Sequence, residues 1–511
     1  MEPDPLGQPA DDQGDVRPAA QLPLPVPRGR RRGRQARREP LKRTLVVAIG
    51  VVLVAASVAT AARIRGTRGP DKLQAVNGVR DVVNCGLGND LATVDGFDRV
   101  GRDCETVTRR ASLDPYRNSG SEHQTEVEPD SFASGTTVVA VFQVGRYFDG
   151  GSHTIGFATS RDSGRTWKRG SLHGLTPRAS DPSIAYDRKH GQWLAVSLVF
   201  GQGSSLDVSR SSDGLHWSAP VVAVRTPNDI SQDKEWIACD NWPQSPHYGN
   251  CYLSYSDLGS EEVVAQVSSD GGATWSAPAA APGFPGRGSI RGSGAPGVQP
   301  LVLPSGRALI PFYDERKVSV VYSDDGGVTW KLEVGIAPAE YRAHDALRAG
   351  PLPTSALSSD GRAYVAWADC SFHPGCTANS IVSISTTDGV SWTPVTRIPT
   401  GAGDAELPGL DADPTRSGRL ALAYYVWRGS SLDVRFVSSS NGGASWSKPK
   451  LLNSRRVPIS GIANTTLGSM VGDYISTSFA GGRAVPVFAL AQKPKRNRLQ
   501  ESIFTSSIPV P

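Results

Sequence analysis

The sequence of 511 residues predicts an all-β protein. Two observations predict this class. A short turn motif recurs six times, and an alternating apolar run that suits a half-buried strand precedes most copies. The composition, with 55 Gly and 38 Pro but only 2 Met, suits many short strands joined by turns. A basic tail and an apolar run precede this all-β part of the chain.

The recurring motif follows the template S-x-D-x-G-x-T-W, and its final position holds six of the eleven tryptophans. We interpret it as a hairpin turn, in which Asp binds nearby backbone amides, Gly accepts a positive φ and Trp packs beneath the turn. The Asp of each copy that carries one is therefore predicted to be structural and not catalytic. The copies occupy residues 160–167, 211–217, 268–275, 323–330, 386–392 and 439–446.

These copies resemble the Asp-box, or BNR, repeat of the sialidase-like β-propellers, and their spacing of about 50 to 60 residues is typical of propeller blades. The resemblance implies a single β-propeller of four-stranded blades over residues 106–511. A seventh unit without a box begins at Met470, and the segment 106–112 is placed to supply its closing strand. The count favours seven blades, with six as the alternative. Exported bacterial proteins labelled sialidase-like share similar stretches at 233–236, 239–251 and 470–476.

The first 105 residues differ from the repeats. Residues 1–43 are rich in Pro, Gly and Arg and predict a disordered basic tail in the cytoplasm. Residues 44–62 are uncharged and apolar, and they predict a transmembrane signal-anchor helix that places the later residues outside the cell. The alternative is a cleaved signal peptide and a secreted protein. Residues 63–105 are interpreted as an extracytoplasmic linker of irregular structure.

The charge is divided along the same line. Residues 1–72 hold 14 Lys or Arg against 7 Asp or Glu, whereas residues 73–511 hold 40 against 42. A body without a basic excess argues against nucleic acid as a partner. The expected partners are a glycan and, through the single N-terminal helix, the membrane.

The six cysteines form sequence-local pairs, and an even number in an exported body indicates disulfides. Their spacing does not fit a zinc site, so no metal ligands and no cofactor are predicted, although structural calcium stays open. The predicted pairs are Cys85 with Cys104, Cys239 with Cys251, and Cys370 with Cys376.

In a four-stranded blade, the boxes would lie on one face of the propeller. The starts of the first strands and the long crossovers between blades would then share the opposite face, where a ligand site is expected. Polar residues gather at those positions. The predicted substrate-binding residues are Arg178, Asp233, Arg291, Arg348 and Asp473.

Carboxylates, arginines and a tyrosine on one axis suit the binding and cleavage of an acidic sugar. The resemblance to exo-sialidases implies a tyrosine nucleophile backed by a glutamate. We therefore predict Tyr474 as nucleophile, Glu235 as its polarising partner and Asp181 as acid/base. The first arginine of the family's triad lies in an Arg-Ile-Pro motif near the start of the catalytic domain. That sequence occurs here only at 397–399, after the fifth box, so its role is not carried onto Arg397.

Two functions from different classes follow from this sequence. The first is an exported, membrane-anchored glycoside hydrolase of the exo-α-sialidase type that acts on terminal acidic sugars of glycans. The second is a non-catalytic propeller that binds a glycan or a protein at the cell surface. The boxes do not discriminate between them, because they report only the fold.

Overall fold

The computed structural model describes residues 61–201, 203–227, 231–281, 297–314 and 316–511. This part of the chain is all-β apart from two 3-10 turns, Pro374–Cys376 and Ile459–Gly461. No helix within it has the length and apolar character needed to span a bilayer. The predicted tail and residues 44–60 of the predicted anchor lie outside the described residues.

The segment predicted to be an irregular linker contains short strands in parallel register. In one stack β3 pairs with β1 and β5, and in the other β4 pairs with β2 and β6. Each strand has only two to five residues, too few to show a period in the sequence. The strands are β1 (Arg63–Arg65), β2 (Lys72–Ala75), β3 (Val82–Asn84), β4 (Leu91–Val94), β5 (Arg99–Val100) and β6 (Thr106–Arg110).

Four-stranded antiparallel meanders follow one another from residue 122 to residue 451, and each repeats the same order of strands. The first three are β7 (Glu122–Ser134), β8 (Thr137–Arg146), β9 (Ser152–Ser160) and β10 (Lys168–Ser171); β11 (Arg178–Asp187), β12 (Gln192–Gly201), β13 (Gly203–Ser211) and β14 (Val221–Thr226); and β15 (Gln232–Cys239), β16 (Cys251–Asp257), β17 (Glu262–Ser268) and β18 (Ala279–Ala280).

The next three meanders repeat this order. They are β19 (Leu301–Val302), β20 (Ala308–Asp314), β21 (Lys317–Ser323) and β22 (Lys331–Pro338); β23 (Thr354–Leu357), β24 (Ala363–Asp369), β25 (Ser380–Thr386) and β26 (Thr396–Arg397); and β27 (Asp404–Ala412), β28 (Leu420–Trp427), β29 (Ser431–Ser439) and β30 (Lys450–Leu451), where β31 (Val457–Pro458) also pairs with β29.

The last sheet is completed from the N-terminal side. Next to β36 lies β6, which pairs antiparallel with it so that Arg109 is opposite Thr505. The segment 106–112 therefore supplies a fourth strand, as the sequence predicts. The C-terminal strands are β32 (Ala463–Thr465), β33 (Gly468–Met470), β34 (Ser476–Ala480), β35 (Arg483–Ala491), β36 (Glu501–Ser506) and β37 (Ile508–Pro509).

The first strands of the meanders contact one another in a closed series, β7 to β11, β15, β19, β23, β27, β34 and back to β7. Side chains link neighbours in this series. Asp130 Oδ2 accepts the Ile184 N–H at 2.9 Å, and Asp411 Oδ2 accepts the Phe479 N–H at 2.8 Å. Ser476 donates to the Ser131 carbonyl at 3.2 Å. The first strands thus surround a common axis, as in a propeller.

The boxes form the turns between third and fourth strands. Their carboxylates bind their own turns, and Asp213 also lies 3.8 Å from Arg161 of the preceding box. Asp270 Oδ1 accepts the N–H groups of Ala273 and Thr274, each at 3.0 Å, and Oδ2 accepts the Thr274 hydroxyl at 2.6 Å. Asn441 occupies the same position in the last box, where its amide oxygen accepts the Ser445 N–H at 2.9 Å. The turn therefore needs an acceptor oxygen and not a charge.

All three predicted disulfides are confirmed. Cys239–Cys251 joins the ends of β15 and β16, and Cys370–Cys376 closes the loop between β24 and β25. Cys85–Cys104 ties the parallel stacks of the N-terminal segment together.

Candidate functional site

The face opposite the boxes carries a repeated distortion of the first strands. The pairing register shifts in β7, β11, β15 and β27, and in each of these strands a non-glycine residue at a shift near the start of the strand has a positive φ. Such bulges re-aim side chains and are frequent beside active sites. The residues are Glu128 at 51°, Asp181 at 45°, Lys234 at 56° and Leu407 at 50°.

Lys234 is the centre of the charged cluster that these bulges produce. Its side chain is only 7% exposed, and its Nζ lies 2.9 Å from Asp473, 3.1 Å from Asp181, 3.5 Å from Asp233 and 3.8 Å from Glu128. We call these five residues, together with Arg348, the Lys234 network. Because the carboxylates come from four different first strands or their leading segments, the closure of the ring brings them together.

Arg348 reaches this network from a crossover. Its Nε and one terminal nitrogen bind the two oxygens of Asp473 at 2.8 and 2.5 Å, a bidentate ion pair. On the other side, Gln143 donates hydrogen bonds to Glu128 and to Ser180, and it accepts one from Arg146 at 2.7 Å. Buried polar groups therefore hold the network on both sides.

The carboxyl groups of this network titrate in opposite directions. For Asp181 and Asp473, burial opposes ionisation, but Lys234 and, for Asp473, Arg348 outweigh it and lower the pKa of both. Burial dominates at Asp233 and, against the opposing effect of Lys234, raises its pKa to about 6. Asp233 therefore keeps its proton to a higher pH than Asp181 does.

These carboxyl groups also differ in the exposed fraction of their side chains. The Asp233 side chain is 29% exposed, whereas the side chains of Asp181 and Glu128 are 5% and 0% exposed. Asp233 is thus the acid of the Lys234 network that solvent or a ligand reaches most easily. Burial further raises the pKa of Glu128 well above its usual range, which the neighbouring charge of Asp181 reinforces.

Tyr474 and Glu235 are near the network but do not form the predicted hydrogen-bonded pair. The Tyr474 hydroxyl donates to the Pro182 carbonyl at 3.0 Å, and its ring packs edge-on against Trp236 with 4.7 Å between centroids. Both Glu235 oxygens are buried without a hydrogen-bond partner in the described part of the chain, and burial raises the pKa of this carboxyl well above its usual range. Lys234 has a positive φ, which the sequence does not reveal. This backbone angle makes the side chains on either side of Lys234 point in different directions.

The remaining predicted residues divide between the network and its surroundings. Asp181, Asp233, Arg348 and Asp473 come together around Lys234. Arg178 instead binds Asp149 at 2.8 Å and stacks over the Tyr147 ring at 4.1 Å. Arg291 lies outside the described residues. Lys234 belongs to the polar stretch 233–236, but nothing in the sequence marks it as the centre of a network.

A second cluster, centred on His344, was not predicted. His344 Nε2 lies 2.8 Å from Glu406 and 3.3 Å from Asp404, and Arg342 binds Asp404 at 2.8 Å. Tyr341 donates to the other oxygen of Glu406 at 3.0 Å. Burial opposes protonation of His344, but the two carboxylates outweigh it and raise its pKa to about 9.

The ligand atoms of His344, Asp404 and Glu406 lie within 4.8 Å of one another, a spacing that a metal ion could bridge. Without an ion the raised pKa favours a protonated His344 at neutral pH, and the three residues then form an ion-pair group. A metal ion would have to displace that proton to bind here. The sequence places the acidic residues that open β27 on the same face as the crossover 341–348, but it does not show that they contact His344.

Below the Lys234 network the first strands enclose further space. A cavity of about 220 Å³ lies along the axis on the side of the boxes, and Trp236, Gln299 and Thr354 line it. The same three residues border a space of about 20 Å³ next to Lys234 and Asp473. The side chains of the Lys234 network thus narrow the central space of the ring between the face with the crossovers and the wider cavity.

Comparison with known proteins identifies the family of the repeats. Residues 250–456 match the family model described as the BNR repeat-like domain. This match covers less than half of the chain, and it confirms the resemblance of the boxes to the BNR repeat. No curated protein matches the sequence.

Solved structures with a similar fold include two sialidases and a polysaccharide lyase. A Hadza microbial sialidase is 16% identical, with 76% of this chain and 66% of that chain covered and a TM-score of 0.40. The NanB sialidase from Streptococcus pneumoniae is 15% identical, with 78% and 71% covered and a TM-score of 0.39. A PL25 ulvan lyase is 11% identical, with 77% and 96% covered and a TM-score of 0.45. These likenesses concern the fold alone.

Proposed function

We propose that this protein is a glycoside hydrolase that acts on terminal acidic sugars at the face opposite the boxes. One observation carries the proposal. Asp181 and Asp233 lie together at Lys234, their pKa values are displaced in opposite directions, and Asp233 is open to solvent. Two carboxyl groups whose environments separate their pKa values can serve as an acid and an ionised partner in acid/base catalysis.

In this proposal Asp233 is the general acid. Its pKa of about 6 leaves part of the population protonated near neutral pH, which suits proton transfer to the leaving oxygen of a glycosidic bond. As the glycosidic C–O bond breaks, the leaving oxygen takes the Asp233 proton, a water molecule adds to the anomeric carbon and releases its proton to solvent, and the ionised Asp181 stabilises the developing positive charge on the sugar. Lys234 fixes both groups within 3.5 Å of one ammonium, so neither has to reorganise during the reaction.

The roles of Tyr474 and Glu235 are revised in this proposal. A hydroxyl that donates to the Pro182 carbonyl and has no carboxylate partner is not activated as a nucleophile. Tyr474 instead holds Pro182 next to Asp181 and is a positioning residue. Burial raises the pKa of Glu235, which favours the neutral form of its carboxyl group. The hydrolase proposed here therefore uses a carboxyl pair and not the tyrosine nucleophile of the exo-sialidase type.

The preference for acidic sugars rests on the arginines at this face. The side chains of Arg342, Arg178 and Arg348 are 41%, 29% and 19% exposed. Each is paired with a carboxylate, and a guanidinium can hold a second carboxylate on its free edge. We propose Arg348, which already binds Asp473 beside the acid pair, as the contact for the substrate carboxylate.

The test is turnover of fluorogenic sialic-acid and uronic-acid glycosides by the purified full chain. The matched control for Asp233→Asn is Asp345→Asn, because Asp345 is an exposed carboxylate on a neighbouring crossover. We expect Asp233→Asn and Asp181→Asn to abolish turnover and Asp345→Asn to leave it unchanged. Turnover that survives both network substitutions would exclude the assigned residues. Failure to cleave any glycoside of either class would exclude the hydrolase.

A specific observation favours the second candidate, a binding propeller without cleavage. The Lys234 network already pairs two cations with four carboxyl groups, and apart from Asp233 and Arg348 its side chains are less than 10% exposed. Such a network stabilises the ring whether or not chemistry occurs. Binding of acidic glycans by both the wild type and the Asp233→Asn variant, without turnover by either, would establish this function.

We also propose seven blades and an extracytoplasmic location. The closed series of seven first strands and the pairing of β6 with β36 support the blade count. Three disulfides support export, since such bonds persist in oxidising compartments. The apolar run 44–62 supports a membrane anchor, and the exported bacterial type of the family is part of the same proposal. Cleavage of this run would give the secreted form.

A further inference from the structure

A pocket of about 420 Å³ lies where the N-terminal strand β2 meets the outer strands of the sixth meander. Basic side chains dominate its lining. Lys72, Arg428, Arg435 and Arg456 face the pocket, and Asp433 is the one acidic residue among them. We call it the outer-edge pocket. It is built from strands that contribute nothing to the Lys234 network.

The positive charge of this pocket is not balanced. Asp433 lies between two arginines, with Arg428 Nε at 3.3 Å and Arg456 Nε at 3.5 Å from its oxygens. Arg435 donates to the backbone carbonyls of Thr400 and Ala402, which do not neutralise its charge. One carboxylate therefore faces four cations. This surplus is local, because residues 73–511 hold 40 Lys or Arg against 42 Asp or Glu.

A second cavity, of about 470 Å³, continues the outer-edge pocket and shares Asn453, Ser454 and Arg456 with it. Arg455 and Lys493 add two more cations to its lining. The Gln74 side-chain oxygen and the Ser454 hydroxyl both line this cavity and are buried without a protein hydrogen-bond partner. Buried polar atoms are normally satisfied, so these two point to a polar ligand or water.

We propose that the outer-edge pocket and its extension bind an acidic oligosaccharide, separately from the catalytic face. Arginine forks bind carboxylate and sulfate groups, and the unpartnered amide and hydroxyl groups suit the hydroxyls of a sugar. Two adjoining cavities with cations along both suit a chain of several acidic units. The inference does not depend on hydrolysis, because it uses none of the residues of the Lys234 network.

An anionic membrane surface is the competing partner for a basic patch. The recessed shape and the buried polar atoms of the cavities favour the oligosaccharide, because a bilayer surface would not reach them. Aromatic and aliphatic side chains that would enter a bilayer interface are also few in the lining of the outer-edge pocket, where Leu451 and Pro449 are the apolar members.

The test is calorimetric titration of the full chain with a heparin-derived hexasaccharide, with neutral maltohexaose as the matched probe. We expect the acidic probe alone to bind, and its affinity to fall with added salt. The double variant Arg435→Gln/Arg456→Gln should lose at least about tenfold in affinity, since it removes two charge-assisted contacts. The control is Arg397→Gln/Arg416→Gln, which removes two exposed arginines elsewhere.

Several results would overturn the inference. These are equal affinity of the two double variants, equal binding of maltohexaose, and no binding by the wild type. Binding of phosphatidylserine vesicles that depends on Arg435 and Arg456, without binding of the hexasaccharide, would assign the pocket to a membrane. The single variant Lys72→Glu, at an exposed position, repeats the test if the double variant fails to fold. Asp233→Asn should leave the affinity unchanged.

Discussion

The ammonium of Lys234 lies 2.9 Å from Oδ2 of Asp473, although one residue belongs to the third meander and the other leads into the last. This contact spans the axis of the ring. Arg348 binds the same carboxylate from a crossover, so Asp473 links two cations. The ion pair between Lys234 and Asp473 therefore stabilises the closed ring of strands, and it also positions the carboxyl groups of the proposed site.

Replacement of Lys234 tests the stabilising part of this relationship. Lys234→Met would leave Asp181, Asp473 and Glu128 buried beside one another without their shared cation. We expect the free energy of unfolding to fall by about 3 to 5 kcal/mol, as for other broken buried ion pairs. Denaturant titration measures this change. Lys331→Met, which breaks an exposed pair with Asp324, should cost less than about 1 kcal/mol, and equal losses would contradict the account.

The boxes predict that the hydrogen bonds accepted by the Asp, and not its charge, stabilise each turn. Asp270→Ala removes the acceptor for two backbone N–H groups and a hydroxyl, so it should lower the free energy of unfolding by about 1 to 2 kcal/mol. Asp270→Asn should cost about 0.5 kcal/mol or less, because Asn441 makes the same turn. The same denaturant titration decides it, and a large loss in the asparagine variant would show that the charge matters.

The His344 cluster predicts a pH dependence of stability. The pKa of His344 is raised to about 9 in the folded protein, above the value of about 6.5 expected in the unfolded chain. Its contribution to stability is therefore fully present below pH 6.5 and is lost as the pH rises through about 9. The difference in unfolding free energy between the wild type and His344→Gln should shrink over that interval. A constant difference would refute the raised pKa.

Tyr474→Phe separates the two roles considered for this residue. As a positioning residue it donates one hydrogen bond, to Pro182, and its loss should reduce kcat by about tenfold or less. A nucleophile would be indispensable, and its loss would reduce kcat by several orders of magnitude. Steady-state kinetics on an acidic glycoside distinguish these results, and Tyr186→Phe provides a tyrosine control outside the Lys234 network.

The parts of the fold that depend on local sequence could be predicted. The boxes and the disulfides involve residues close together in the chain, so the sequence alone indicates the turns and the Cys239–Cys251 and Cys370–Cys376 loops. It does not indicate the short parallel strands of residues 63–105, because two to five residues show no period.

The sequence predicts which types of residue form the site, but it does not predict how they are arranged. Asp181, Asp233, Arg348 and Asp473 were identified from their positions at strand starts and in a crossover. Their arrangement depends on ring closure and on the positive φ angles at bulges, neither of which the sequence displays. The positive φ at Lys234 leaves the Glu235 side chain buried, where it does not form the predicted pair with Tyr474. The His344 cluster was missed because its members come from a crossover and from a later strand.

The most direct measurement is the pH dependence of kcat/KM on an acidic glycoside for the wild type and the Asp233→Asn variant. Because the proposed acid must carry its proton, wild-type activity should fall as the pH rises through about 6. The variant should lose most of the activity together with that descending limb. An unchanged limb in the variant would contradict the assignment of Asp233 as the acid of the site.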